Sequence, residues 1–258
     1  MRPQDLKTAV AALEEKLGYV AGKPGVHDVT LQCPGGAHME LHFDLIGEGR
    51  ANSARDILAT VWETAKPVES GAYRMEMDEG LFYFYHIAHM AKHFETGGCG
   101  IRPFIDLWLL DRQRPAQADE LLEKGGLLVF AQAARKLSRV WFGGEAPDEL
   151  TESLETFLLH GGVYGSADNR VALNQSARGG KLGYLRSRVF APYEKLKRYY
   201  PILETHRWLT PVMQVRRWGM LLRPEVAART KRELAANAAG KDSRGSLLQA
   251  LGLEKSNW

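Results

Sequence analysis

Three histidines, His86, His89 and His93, recur within eight residues of the stretch running from Glu79 to Arg114. At ~100° per residue, Phe82 and these imidazoles fall on one arc about 60° wide. A second arc, of Tyr83, Phe84, Ile87, Ala91 and Phe94, is apolar and suits a core. Imidazoles in such a row can hydrogen-bond to backbone carbonyls at the edge of a core. They can hold a metal through His89 and His93, spaced i and i+4, although no cysteine pair or HExxH glutamate accompanies them. They can also line a polar substrate pocket with Lys92, Arg102 and Asp106. The residues alone leave these three uses open.

A second group that could do chemistry is Glu40, His42 and Asp44 in the run HMELHFDL from His38 to Leu45. On a strand these three share one face, and Leu41, Phe43 and Leu45 share the other. Three polar side chains in line suit a solvated face as well as a carboxylate site. Cys33 and Cys99 have no short spacing, which argues against a disulfide framework or a cysteine-rich zinc site. Cys99, in a glycine turn, serves as readily as a small filler as a nucleophile. Gly97, Gly98 and Gly100 precede no GK[ST] and follow no strand, so a P-loop is rejected. The run HGGVYGS from His160 is a glycine-rich candidate for anion binding, or a helix end followed by a new N-cap.

The elements that must position these residues follow from periodicity and breakers. Residues 5–17 carry a Leu6, Val10, Leu13, Leu17 stripe and stop at Gly18, which predicts a helix. The runs His27–Cys33 and His38–Leu45, joined by a Pro34–Gly36 turn, read as antiparallel strands. From Ser53 onward the pattern is almost wholly helical: a helix capped at Ser53 ending before Pro67, then the Glu79 helix with Asp78 as its cap and glycines as its stop. Further helices follow, broken at Gly125 and Gly126, then one with Pro147 at its first position that ends at Gly161. The segment around Trp208 and Trp218 reads as an apolar-faced helix, and these tryptophans, with Tyr199 and Tyr200, as packing anchors. The expected fold is therefore α+β and mostly α-helical, with a small antiparallel β element near the N-terminus packed on a multi-helix body. The boundaries read as 1–50, 51–223 and a charged, loosely attached tail over 224–258.

Composition sets limits around this. At 258 residues, 45% hydrophobic and 25% charged, the chain is an ordinary globular sequence. It shows neither the apolar core of a signal peptide nor a run long enough to span a membrane, and it fits a reducing cytoplasm. The net charge of +3 conceals an imbalance: residues 181–258 hold 16 Lys and Arg against 6 Asp and Glu, whereas 1–180 are net acidic. A basic third that is spread out rather than clustered suits a solvated helical surface as well as an anionic partner.

The run HIAHMAKHF followed by GIRPFIDLWLL resembles the signature of a bacterial family of uncharacterised nucleotidyltransferases, which is similar to the DNA-polymerase-β-like superfamily. ELHF (Glu40–Phe43), HGGVYGSADNRV and FAPYEKLKRYYPIL continue the resemblance, so that it spans about residues 5–222. It implies transfer of a nucleoside monophosphate from a nucleoside triphosphate to an acceptor, with Mg²⁺ held by carboxylates. Glu40 is the position matching the third catalytic and metal-binding acid, and His89, Lys92, His93, Arg102 and Asp106 would bind substrate. The superfamily's Gly-Ser turn and Asp-x-Asp pair have no counterpart here, because they would precede residue 1. The expectation is therefore that this chain by itself is inactive or incomplete, or that a protein partner supplies the missing strands. The alternative is a non-catalytic helical module that binds a small molecule or a protein partner.

Overall fold

The computed structural model describes residues 1–25, 27–47, 52–70, 73–95, 98–161, 189–191, 193–221 and 241–253. Among these the protein is α+β and mostly helical, with five short strands, all antiparallel. It resolves into two compact units. The described part of the first comes from residues 1–92 and 106–135, and that of the second from residues 93–105 and 136–255.

The first unit opens with α1 (Leu6–Leu17), closed by Gly18 at φ 67°, a left-handed conformation that suits glycine. β1 (Val20–Ala21), β2 (Asp28–Gln32) and β3 (His38–His42) form a three-stranded sheet in that order. The β2–β3 turn closes with Gly36 N–H on the Cys33 carbonyl at 2.9 Å, as the Pro34–Gly36 breaker predicts. Directly opposed residues share a sheet face. Asp28 opposes His42, Thr30 opposes Glu40 and Gln32 opposes His38, so one face is polar. Val29 and Leu31, both buried, lie with Leu41 and Met39 on the other.

The helix expected from Ser53 begins at Asn52 and breaks in two, α2 (Asn52–Ala59) and α3 (Val61–Thr64). Ser53 is thus inside the helix rather than capping it. The break falls at Thr60, whose hydroxyl donates to the Ile57 carbonyl at 2.7 Å, a local bond that competes with the helical ladder. A two-residue pair, β4 (Lys66–Pro67) and β5 (Met75–Glu76), follows. It and β1 are too short to leave a periodic signal.

α4 (Glu79–Glu95) starts as expected, with Asp78 Oδ1 accepting from Leu81 N–H at 3.1 Å. Tyr83, Phe84, Ile87, Ala91 and Phe94 are all buried. α5 (Arg102–Asp111), α6 (Ala118–Lys124) and α7 (Leu128–Gly143) follow, with Gly125 and Gly126 between the last two. The Gly125 backbone lies against Phe84 so closely that a Cβ would stand 2.5 Å from its ring.

In the second unit, α8 (Glu149–Gly161) places Pro147 before the cap and not at the first helical position. Asp148 is the cap: its Oδ1 accepts from Thr151 N–H at 2.8 Å, and Thr151 Oγ accepts from Asp148 N–H at 2.7 Å. Phe94 and Phe157 stack at 4.6 Å, and the helix Lys241–Ala250 packs near α8 with Leu247 and Leu248 buried. The charged tail therefore has an apolar attachment that its composition conceals. Trp218 lies in the helix Thr210–Leu221 and donates from Nε1 to the Val189 carbonyl at 2.7 Å. Trp208 is no anchor: it is 72% exposed. The HGGVYGS run lies outside the described residues apart from the end of α8.

Candidate functional site

The alternating polar side chains of β3 share a sheet face with those of β2, and a group of ionisable side chains gathers there. Glu40 is half exposed, with Oε2 at 3.4 Å from His42 Nε2 and Oε1 at 3.9 Å from His38 Nε2. The His42 ring leans on the His27 ring, with centroids 5.3 Å apart. His27 Nε2 lies 3.2 Å from the Lys92 ammonium, which reaches the sheet from α4. An ammonium only donates, so His27 accepts at Nε2, and its own hydrogen sits on Nδ1, 3.8 Å from Asp28 Oδ1.

The turn after β3 holds this group from below. Asp44 does not continue the strand face beside Glu40 and His42. Its Oδ1 accepts from Ile46 and Gly47 N–H, both at 3.1 Å, and its Oδ2 lies 3.4 Å from Arg55 Nη2 on α2. Gly47, at φ 85°, brings its backbone against the His27 ring, where a Cβ would meet Nδ1 at 3.3 Å.

The electrostatics follow from partial burial. Desolvation lowers the Lys92 pKa, against the pull of Asp44, Asp28 and Glu40. Desolvation, followed by the Lys92 charge, lowers that of His27, with Asp28 and Asp44 opposing. His42 keeps a buried Nδ1 with no hydrogen-bond partner among the described residues, a costly state for a polar atom.

Beside this cluster, and sharing His42 and Asp44 with it, lies a pocket of about 560 Å³. Its wall is largely apolar, including Phe43, Ile46, Leu58, Trp62, Met75 and Met77, and Arg55 and Glu76 add charge.

The sequence-predicted site residues are distributed as follows. Glu40 lies close enough to Lys92 for its carboxylate to pull the Lys92 pKa upward, behind desolvation, Asp44 and Asp28. His89 is half-buried, its ring 5.6 Å from that of Tyr85. His93, Arg102 and Asp106 are exposed. His86, His89 and His93 share an arc with exposed Phe82, opposite the buried arc of α4. Magnesium at Glu40 needs further oxygen ligands. Both Glu40 oxygens face imidazoles, and among the described residues no group of three His, Cys, Asp or Glu could hold a metal ion. The described donors therefore do not compose a magnesium site. Burial pushes the Cys99 thiol up to about 12, which keeps it protonated and unreactive.

His27, Asp28, Arg55 and Trp62 were not singled out by sequence. The alternation Asp28, Thr30, Gln32 opposite His38, Glu40, His42 was a usable signal for Asp28, and His27, one residue before the strand, lies off it. Nothing in the local pattern marks Arg55 or Trp62.

An ionisable cluster on one face of a small antiparallel sheet, beside a pocket of about 560 Å³, is the candidate site of this α+β protein. A model of the uncharacterised nucleotidyltransferase family matches residues 1–143, more than half of the chain, and the protein belongs to that family. No curated protein and no solved structure matches it. Among the described residues, no helix is long and apolar enough to cross a membrane.

Proposed function

We propose that this nucleotidyltransferase-family protein is a bacterial, cytoplasmic relative of the DNA-polymerase-β-like enzymes that binds a nucleoside triphosphate at the polar face of its sheet. The observation that carries the reading is the family match over 1–143, a span that contains β3, Lys92 and the whole ionisable cluster. Glu40 and Lys92 are its central residues, with His27 and His42 beside them. His89, His93, Arg102 and Asp106 are further substrate contacts in this proposal, His89 and Asp106 in the first unit and His93 and Arg102 in the second. Lys92 is the cation for phosphate, and its partial burial strengthens any charge-assisted bond it makes.

Transfer to an acceptor is a further step, and the described carboxylates do not complete the metal site that step needs. The full chain is expected to bind nucleotide and to release no pyrophosphate unaided. Isothermal titration with ATP, GTP, CTP and UTP, each with magnesium, tests the first half. Pyrophosphate release that disappears in Glu40→Gln would overturn the second. Absence of heat with all four nucleotides would overturn the first.

The apolar wall of the neighbouring pocket favours a second reading, a non-catalytic module that binds a small molecule. Titration separates the two, since that module is indifferent to all four nucleotides.

A further inference from the structure

The pocket beside the cluster has a chemistry of its own. Leu58, Trp62, Met75 and Met77 supply a flat aromatic surface, two flexible thioethers and an aliphatic floor. Its volume of about 560 Å³ suits a small organic molecule, for which pockets of roughly 300–1,000 Å³ are usual. Thioethers and indole adapt to an apolar body without fixing its outline.

The charges at the rim are unequal. Arg55 is already answered by Asp44 at 3.4 Å, and Asp44 also accepts two backbone N–H groups. Among the described residues, Glu76 has a single long contact, 3.9 Å, with an exposed Arg74. The Met1 ammonium, also in the wall, is engaged by the His42 carbonyl at 2.9 Å, and an anionic guest would have to compete with Asp44 for Arg55, so Glu76 is the lining charge with the weakest partner. The Arg2 guanidinium already sits over the Trp62 ring at 5.2 Å, which leaves this ring to the apolar body of a guest and Glu76 to its charge.

We infer that this pocket binds an organic amine: an apolar body against Trp62, Met75 and Met77, with its ammonium directed to Glu76. The inference concerns binding alone and goes beyond the nucleotide reading. Binding to the pocket is independent of it and is measured without nucleotide.

Three probes share one body and differ in charge: 4-phenylbutylamine, 4-phenylbutanol and 4-phenylbutyrate. Each is titrated into full-length protein carrying ¹³C-methyl methionine, with the Met75 and Met77 signals assigned through Met→Leu variants. The amine should shift both signals saturably, at least about tenfold more tightly than the alcohol, and the butyrate should bind weakest. Glu76→Gln should bring the amine down to the alcohol and leave the alcohol unchanged, which also shows that the variant is folded. Trp62→Ala should weaken both. Butyrate binding tightest, amine binding that ignores Glu76→Gln, or no saturable shift with any probe would each overturn the inference. A Mg-ATP titration of the same samples keeps its failure distinct from that of the nucleotide reading.

Discussion

Two ionisable clusters in the first unit are built from similar groups and closed to different degrees. In one, Arg135, 4% exposed, donates from Nε to the Tyr83 hydroxyl at 2.7 Å and from Nη2 to Asp119 at 2.7 Å. The Tyr83 hydroxyl in turn donates to Asp111 at 2.9 Å, and burial raises its pKa well above the usual phenol value. Donors and acceptors in this network are matched by short, charge-assisted bonds. In the other cluster, of His27, His42, Glu40 and Lys92, the described contacts measure 3.2–3.9 Å, and the buried Nδ1 of His42 has no hydrogen-bond partner among the described residues. A saturated buried network rigidifies a fold. An unsaturated one beside a pocket is retained where something other than folding uses it.

The contrast breaks first at the closed cluster. Arg135→Met leaves Asp119 and the Tyr83 hydroxyl without their cation and should cost about 3–5 kcal/mol. Chemical denaturation measures it, and a loss below about 1 kcal/mol would remove the distinction. Gly125→Ala comes next, at about 1–3 kcal/mol from overpacking, because its methyl would stand 2.5 Å from the buried Phe84 ring. The companion Phe84→Leu in the same background should recover part of that loss.

Smaller effects belong to the open cluster. The folded-state pKa of His27 is lowered, so its contribution to stability is complete above the ordinary value of 6.5. That contribution is lost as pH falls through 6.5 toward the folded value, because the unfolded chain takes the proton first. Melting temperature should decline between pH 7.5 and 5, with a shallower decline in His27→Gln. A steeper decline in the variant would contradict the assignment. Glu40→Gln should have the smallest effect on folding, under about 0.5 kcal/mol, because its imidazole contacts are long and half exposed. Its effect should fall on ligand binding instead.

The parts of this molecule legible in the sequence were those with local causes. The Asp78 cap, the Gly18 stop, the β2–β3 turn and the core arc of α4 all follow from spacing within a few residues. Glu40 and Lys92 were legible as candidates, and their meeting was not, since it depends on a sheet and a helix 52 residues apart in sequence. The histidine row was legible as an arc. Its direction was set by the larger apolar arc of Leu81, Tyr83, Phe84, Ile87 and Met90, which took the buried side. Tyr83 was read as core alone, because nothing nearby announces that its hydroxyl meets Arg135 52 residues later.

The central claim is that ligands engage the open cluster on the sheet. Imidazole ¹⁵N spectra of the full-length protein, recorded during a titration with Mg-ATP, test it directly because each histidine reports separately. His27 and His42 should shift saturably and together, and should move little in Lys92→Met, while His206 in the second unit stays in place. Saturable shifts confined to His86, His89 and His93, with His27 and His42 unmoved, would contradict the claim and return the site to the exposed arc of α4.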